Sequence, residues 1–219
     1  MVGFNRRHAP LAAALRRLER PRLMSYRVNA GPVAAAHWTN DLARGGGRLR
    51  GEGCHFVDFL CDQAAADPRT VSAHGFPSRP ELPLAATDNF SVRIVFAGGS
   101  VGTLDYAADA PTRAGKERFQ TSFPGGYAEI DDFRRGAIWH GARRERIGGR
   151  RQDKGFDAQY ALLAAAVRGD AEPPPLDGYL VSSLVTLAAA RSLESGRPEP
   201  VVEPEALRSG AGAPAGAAR

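Results

Sequence analysis

Between residues 71 and 147 the sequence is a series of short segments in which apolar and polar residues alternate. A hydrophobic period of two is typical of β-strands that have one buried face. Segments 90–96 and 101–106 are separated by a glycine-rich turn, so they predict a β-hairpin. Further strands are predicted at 71–73, 117–123, 127–130 and 138–147. Successive strands without intervening helices predict an antiparallel sheet.

Apolar residues with helical spacing lie on both sides of this strand-rich region. Before it, the pattern predicts a helix that begins near Pro10, a strand at 23–28 and a helix over 51–62, while the apolar residues 2–4 predict a short strand. After it, helices are predicted at 156–167 and 178–193, the second with Asp177 as its N-cap. This order of elements predicts an α+β fold, an open antiparallel sheet with helices packed on one face.

The basic charge of the chain does not indicate a nucleic-acid-binding protein. The net charge is +5, but Lys116 and Lys154 are the only lysines among 29 basic residues. Arginine is abundant together with alanine, glycine and proline, as expected from the codon bias of a GC-rich genome. The densest basic stretch, 143–151, contains no aromatic residue on which a base could stack. We therefore expect no nucleic-acid binding.

Membrane, export and metal-binding classes are also not indicated. No run approaches the ~18 apolar residues of a membrane span, and the first residues lack the apolar stretch of a signal peptide, so we expect a cytoplasmic protein. Cys54 and Cys61 would lie about 10.5 Å apart on a helix, too far for a disulfide. His55 and Asp58 lack a convincing third ligand, so no metal site is predicted.

The strongest chemical signal is the glycine-rich segment 45–58, which leads into the predicted helix. Glycines before a helix let a ligand approach the backbone closely. His55 shares one helical arc with Glu52 and Asp58, and nearby carboxylates would raise the pKa of its imidazole toward the range useful for proton transfer. The alternative is that this arc is simply the solvated face of a helix.

Four segments resemble one enzyme family in their order and spacing. They are residues 2–10 (VGFNRRHAP), 26–31 (YRVNAG), 45–58 (GGGRLRGEGCHFVD) and 153–156 (DKGF). Over about residues 1–200 the chain resembles the C-terminal part of the Gfo/Idh/MocA oxidoreductases. That part is an antiparallel-sheet domain that carries the substrate site and the oligomer interface. The resemblance implies an NAD(P)-dependent oxidoreductase that acts on the CH–OH groups of a sugar or polyol.

The resemblance also implies site residues. The family's catalytic trio is a lysine in a Glu-Lys-Pro segment, an aspartate, and a histidine four residues after the aspartate. His55 matches the histidine, whereas the aspartate position falls on Gly51, so that role is either vacant or taken over by Glu52. Apart from the resemblance, Arg27, Asn29, His37 and Trp38 could supply polar contacts to a hydroxylated ligand, and together with Asp58 they are the residues expected to contact the substrate.

Neither the Glu-Lys-Pro segment nor a dinucleotide-binding fingerprint occurs in the sequence. We therefore expect residues 1–8 to be the remnant of a Rossmann strand, 9–200 to be the substrate and oligomerisation domain, and 201–219 to be a flexible tail. This chain alone would bind no cofactor, and NAD or NADP would be held by a Rossmann domain encoded upstream. The alternative is a non-catalytic module that binds a sugar or a partner through the same fold.

A homo-oligomer is expected through the face of the sheet. The reason is a set of apolar strand positions with few charges nearby, namely Ile94, Phe96, Leu104 and Tyr106.

Overall fold

The computed structural model describes residues 1–34, 36–79 and 83–202. Its α-helices are α1 (Pro10–Arg16), α2 (Cys54–Ala64), α3 (Phe156–Arg168) and α4 (Leu176–Ser195). A 3₁₀ turn at Asn5–His8 precedes α1, and a π-helical turn at Leu49–Gly53 leads directly into α2. The strands are β1 (Leu23–Asn29), β2 (Pro68–Phe76), β3 (Asn89–Phe96), β4 (Val101–Ala107), β5 (Glu117–Phe123), β6 (Gly126–Asp131), β7 (Arg135–His140), β8 (Arg143–Gly148) and β9 (Glu199–Pro200).

These strands form one open sheet in the order β8-β7-β6-β5-β1-β4-β3-β2-β9. All neighbours are antiparallel except β1 and β4, which run parallel, with Tyr26 beside Leu104. The first strand in the chain therefore lies at the centre of the sheet, between β4 and β5. The α+β class and the β3–β4 hairpin are confirmed. The region 138–147, predicted to form further strands, contains parts of β7 and β8, which pair as a hairpin.

The helices cover one face of the sheet and enclose the core there. The ring of Tyr26 in β1 lies 5.1 Å from the ring of Phe56 and 5.3 Å from that of Phe59, both in α2. The remaining even-numbered positions of β1 are also buried, while its odd-numbered positions from 23 to 27 are exposed. The opposite face therefore carries mainly polar side chains.

The apolar sheet positions predicted to be exposed are buried. Ile94 and Leu104 have no exposed surface, and Phe96 and Tyr106 are each 2% exposed. In an alternating strand the apolar set occupies one face only, and here that face is the one under the helices. The apolar positions given as the reason for self-association are thus not exposed, and self-association through the face of the sheet stays a prediction.

Three smaller predictions also differ from the structure. Residues 2–4 form no strand, because no neighbouring strand among the described residues pairs with them, and the Phe4 N–H donates to the Val2 carbonyl instead. The residue before α4 is Pro175, so Asp177 lies in the first turn of the helix rather than at its N-cap. Val201 is still attached to the sheet through its N–H, which donates to the Arg69 carbonyl, and residues 203–219 of the predicted tail lie outside the described residues.

Cys54 and Cys61 are unpaired and lie along α2, as expected for two cysteines seven residues apart on a helix. No helix within residues 1–34, 36–79 and 83–202 combines the length and the apolar character needed to cross a membrane.

Candidate functional site

The glycine-rich segment before α2 is tightly packed. A Cβ added to Gly45 would collide with the Trp38 carbonyl oxygen. At Gly51 an added Cβ would lie 3.1 Å from Thr39 Cγ2 and 3.3 Å from the Gly45 carbonyl oxygen. The packing of the loop around Trp38 and Thr39 therefore requires glycine at position 45 and leaves little room for a side chain at position 51. The space that the sequence indicated for a ligand is filled by the chain itself.

Glu52, in the π-helical turn, is held by several donors. The Tyr106 hydroxyl donates to Glu52 Oε2 at 2.5 Å, and Arg48 Nη2 lies 3.3 Å from the same oxygen. Lys116 Nζ lies 3.8 Å from the other carboxylate oxygen. Burial, with Glu52 nearby, raises the pKa of Tyr106, so the phenol keeps the proton that it donates. Glu52 is thus an anchored carboxylate at the end of the sheet.

His55 lies in the first turn of α2 and is half-buried. Its ring packs edge-on against the Phe4 ring at 5.4 Å, and its buried Nδ1 has no hydrogen-bond partner among the described residues. Burial lowers the pKa of His55, and the charge of Arg6 lowers it further, outweighing the opposite effect of Glu52. The expected rise in pKa is therefore wrong, because desolvation penalises the imidazolium. His55 is a neutral base at pH 7.

Asp58 is fully buried, which corrects its assignment to a solvated helix face. Arg7 forms a bidentate pair with its carboxylate, with Nε donating to Oδ2 at 2.9 Å, and the Ser182 hydroxyl donates to Oδ1 at 2.8 Å. Burial raises the pKa of Asp58 to about 6 despite these donors. Its oxygens hold α2, α4 and the 3₁₀ turn together.

A second buried charge network, which the sequence did not predict, lies beside His55. Arg6 Nε and Nη2 donate to the two oxygens of Glu117 at 2.7 and 2.8 Å. Tyr26 Oη and Lys154 Nζ donate to the same carboxylate at 2.7 and 2.6 Å. Burial acts to raise the pKa of Glu117, but Arg6 and Lys154 outweigh it and bring the pKa to about 2. Arg6 and Lys154 both lie in segments that carry the family resemblance, and this was the one feature of the sequence that could have pointed to the network.

Two clefts lie along the face of the sheet that carries no helices. A cleft of about 700 Å³ is lined by Arg27, Asn29, Asn89, Asp105 and Tyr106 among others, and its lining surface is mainly apolar. Arg27 and Asp105 also line a larger polar cleft of about 1110 Å³, which extends over β5–β8. The Asn29 amide donates to the Gly115 carbonyl at 2.9 Å. Tyr106 connects the smaller cleft to Glu52 through its hydroxyl.

The predicted site residues thus fall into separate places. Arg27 and Asn29 share the smaller cleft, whereas His55 lines neither cleft. His37 and Trp38 lie in the loop over Gly45 and Gly51, where His37 Nδ1 is 2.8 Å from Thr39 Oγ1 and Trp38 is exposed. In the part of the chain that the structure describes, no group of three His, Cys, Asp or Glu residues could hold a metal ion.

Comparisons with solved structures identify the same architecture in bacterial oxidoreductases. An oxidoreductase domain protein from Kribbella flavida matches with a TM-score of 0.75 and 21% identity over 93% of this chain and 66% of its own. The aldose-aldose oxidoreductase from Caulobacter crescentus matches with a TM-score of 0.74 and 19% identity over 91% of this chain and 63% of its own. A myo-inositol dehydrogenase from Corynebacterium glutamicum matches with a TM-score of 0.66 and 20% identity over 92% of this chain and 64% of its own. The chain thus spans less than two thirds of the length of these structures.

A family model provides the assignment that these distant structures alone do not. Residues 17–126, half of the chain, match the model of the GFO/IDH/MocA C-terminal domain. No curated protein matches the sequence. The matched region includes the central strand β1, the packed glycine segment, His55 and β2–β5. The chain therefore belongs to the GFO/IDH/MocA family and carries the C-terminal domain of its oxidoreductases.

Proposed function

We propose that this domain binds the substrate of an NAD(P)-dependent sugar or polyol oxidoreductase, and that His55 accepts the proton of the hydroxyl group being oxidised. Family membership supports an oxidoreductase. Among the structural neighbours are an aldose-aldose oxidoreductase and a myo-inositol dehydrogenase, which supports a polyhydroxylated substrate. An NAD binding oxidoreductase from Klebsiella pneumoniae supports a nicotinamide cofactor.

The main support for the proposed role of His55 is that its side chain is neutral. Oxidation of an alcohol to a carbonyl compound releases the hydroxyl proton, so a neutral base is needed beside that hydroxyl group. The lowered pKa leaves His55 neutral, and because its Nδ1 is buried we assign the proton to Nε2, whereas Glu52 is engaged by Tyr106 and Arg48. His55 is therefore the better proton acceptor of the two. Glu52 acts through its charge, which favours the imidazolium once His55 has taken up the proton.

The cofactor itself does not fit this domain. β1 is followed by the glycine segment 45–53 and α2, but Gly45 is packed against the Trp38 carbonyl and Gly51 against Thr39, so that segment leaves no cradle for a pyrophosphate. We assign the nicotinamide, which would accept the hydride, to a separate Rossmann domain of the complete enzyme.

Contacts to the reacting hydroxyl group have to lie on the helix side of the sheet, where His55 is. Arg27 and Asn29 line the smaller cleft on the opposite face, so the structure does not bring them together with His55. His37 and Trp38 remain candidates, because their loop packs against the glycine segment that leads into α2. The buried pair of Asp58 with Arg7 supports the fold around His55.

The test is the turnover of the complete enzyme with its best sugar or polyol. His55→Asn is expected to lower turnover by about 10²–10⁴ while substrate affinity changes little, because a positioned proton acceptor is lost. His140→Asn is the matched control, since this histidine is exposed at the end of β7. Glu52→Gln is expected to lower turnover less. Turnover of His55→Asn equal to that of the His140→Asn control would refute the proposal.

One observation favours the non-catalytic alternative. The position of the family's aspartate is Gly51, where the loop leaves an added Cβ only 3.1 Å from Thr39. If the domain only binds a sugar, the 219-residue chain should bind polyols with equal affinity as wild type and as His55→Asn, and the complete enzyme should show no His55-dependent turnover.

A further inference from the structure

The carboxylate of Glu52 is held at one oxygen and open at the other. Its Oε2 accepts from the Tyr106 hydroxyl at 2.5 Å and lies 3.3 Å from Arg48 Nη2. Its Oε1 lies 3.8 Å from Lys116 Nζ and accepts no hydrogen bond from the residues that the structure describes. Lys116 Nζ likewise donates no hydrogen bond within the described chain. An acceptor and a donor therefore lie opposite each other without being bonded.

The width of this gap suits a hydroxyl group. At 3.8 Å, Nζ and Oε1 are too far apart for a direct hydrogen bond. They are close enough for one hydroxyl oxygen to lie about 2.8 Å from each of them, which is the usual length of such a bond. The hydroxyl group would accept from the ammonium, which only donates, and donate to the carboxylate, which only accepts. Both bonds involve a charged partner, so they are stronger than bonds between neutral groups.

The gap is accessible and its surroundings are anchored. The side chain of Glu52 is 26% exposed and that of Lys116 is 38% exposed. The buried guanidinium of Arg48 lies over the Tyr106 ring, 5.3 Å from its centroid, and fixes the inner side of the carboxylate. The Lys116 carbonyl accepts from the Asn29 N–H at 2.9 Å, which ties the segment before β5 to β1. A ligand can therefore reach Oε1 and Nζ without displacing a contact between buried groups.

The gap lies about one helical turn from His55. Glu52 precedes His55 by three residues, where the π-helical turn leads into α2. The charge of Glu52 acts on the His55 imidazole, as expected for neighbouring groups. A polyol whose reacting hydroxyl group lies at His55 can therefore place a second hydroxyl group in the gap.

We propose that Glu52 and Lys116 form a subsite for a second hydroxyl group of the substrate, and that Lys116 determines specificity for polyhydroxylated substrates over simple alcohols. The subsite rests on the proposed function, because it requires a polyol whose reacting hydroxyl group is at His55. Glu52 thereby contacts the substrate in addition to its effect on His55. Lys116 contributes to substrate binding and takes no part in the proton transfer.

Dissociation constants of the complete enzyme for a polyol and for its monodeoxy analogues test the subsite. The polyol is the one bound most tightly among a panel of aldoses and inositols. Lys116→Met is expected to raise its dissociation constant at least about tenfold, because a hydrogen bond to a charged group is lost. One monodeoxy analogue lacks the hydroxyl group held in the gap. The wild type should bind this analogue more weakly than the polyol, and Lys116→Met should change its dissociation constant by less than about twofold.

Arg113→Met is the matched control, because Arg113 is exposed in the same segment before β5, and it should leave all of these constants unchanged. Circular dichroism melts establish that the variants are folded, and Lys116→Gln, which also removes the charge, provides a second variant with the same expected pattern. The proposal is overturned if Lys116→Met weakens binding of the polyol and of every monodeoxy analogue equally, or weakens neither.

Steady-state turnover separates the subsite from the proposed role of His55. Lys116→Met should leave kcat within about threefold of the wild type, whereas His55→Asn lowers kcat. If His55→Asn kept wild-type turnover while Lys116→Met showed the expected binding pattern, only the role of His55 would be refuted. A Lys116→Met variant that lowers kcat and leaves the dissociation constants unchanged overturns the subsite.

Discussion

The buried carboxylate of Glu117 gives the most direct test of how this fold is held together. Replacing Glu117 with glutamine removes the negative charge that Arg6 and Lys154 share while keeping the shape of the side chain. Arg6 has a side chain that is 9% exposed, so it would remain buried without its anionic partner. Removing one partner of a buried ion pair costs about 3–5 kcal/mol.

The lowered pKa of Glu117 gives a similar value for the stability that its negative charge contributes. The carboxyl group falls from an ordinary value of 4.5 to about 2 in the folded protein. At about 1.4 kcal/mol per pKa unit, this shift corresponds to about 3 kcal/mol of stability at neutral pH. We therefore expect Glu117→Gln to lower the free energy of unfolding by about 3 kcal/mol.

Urea unfolding at pH 7 measures this loss, with fluorescence and circular dichroism as two probes of one transition. Glu145→Gln is the matched control, because Glu145 is 44% exposed and pairs with Arg17, which is 59% exposed. That substitution should cost less than about 1 kcal/mol. The double variant Arg6→Met/Glu117→Gln should be more stable than Glu117→Gln alone, because it removes the unpaired buried charge. A loss of less than about 1 kcal/mol for Glu117→Gln would refute this account.

The pH dependence separates Glu117 from Asp58. Because the pKa of folded Glu117 is depressed, its contribution is fully present above about pH 4.5 and is lost as the pH falls toward 2. The pKa of Asp58 is raised from 3.8 to about 6, so its contribution is present below about pH 3.8 and is lost as the pH rises toward 6. In a series of unfolding curves, Glu117→Gln should flatten the loss of stability between pH 4.5 and 2. Parallel curves for wild type and variant would contradict the assignment.

Two further predictions concern a hydroxyl group and the cofactor. Ser182→Ala should lower the free energy of unfolding by about 1–3 kcal/mol, because the buried Asp58 loses a hydrogen-bond donor. Ser183→Ala is the control, because this serine is exposed, and it should change the free energy of unfolding by less than about 0.5 kcal/mol. Equal losses for the two variants in urea unfolding would count against this prediction. The 219-residue chain should show no micromolar binding of NAD or NADP by calorimetry, because no described segment forms a pyrophosphate cradle, and binding at that level would show that a cradle exists in another form.

Local patterns in the sequence were enough to predict most elements of this fold. The β3–β4 hairpin follows from alternation on both sides of a glycine turn, and α2 follows from the spacing of Phe56, Val57 and Leu60. The face of each strand that becomes buried is not a local property. Ile94 and Leu104 read equally well as an exposed apolar face until the helices are in place over them.

The candidate site depended even more on distant partners. Asp58 and Glu52 share a helical arc with His55. In the structure, however, Asp58 is buried and accepts hydrogen bonds from Arg7 and Ser182. Glu52 accepts a hydrogen bond from the Tyr106 hydroxyl. These partners lie up to 124 residues away in sequence. The pKa of His55 could not be predicted from Glu52 alone, because burial and Arg6 act in the opposite direction. The family resemblance identified the position of His55 and left its environment open.

The central place of β1 has a consequence for the order of folding. Strands β2–β4 and β5–β8 are two antiparallel meanders built from neighbouring segments, and each can form early through short loops. β1 joins them, yet the residues paired with it in β4 and β5 follow it by 78 to 99 residues. On a ribosome β1 must therefore wait until residue 123 has emerged before both of its edges are paired. We expect the two meanders to protect their amide hydrogens first in pulse-labelled exchange, and β1 to gain protection only when it closes the gap between them.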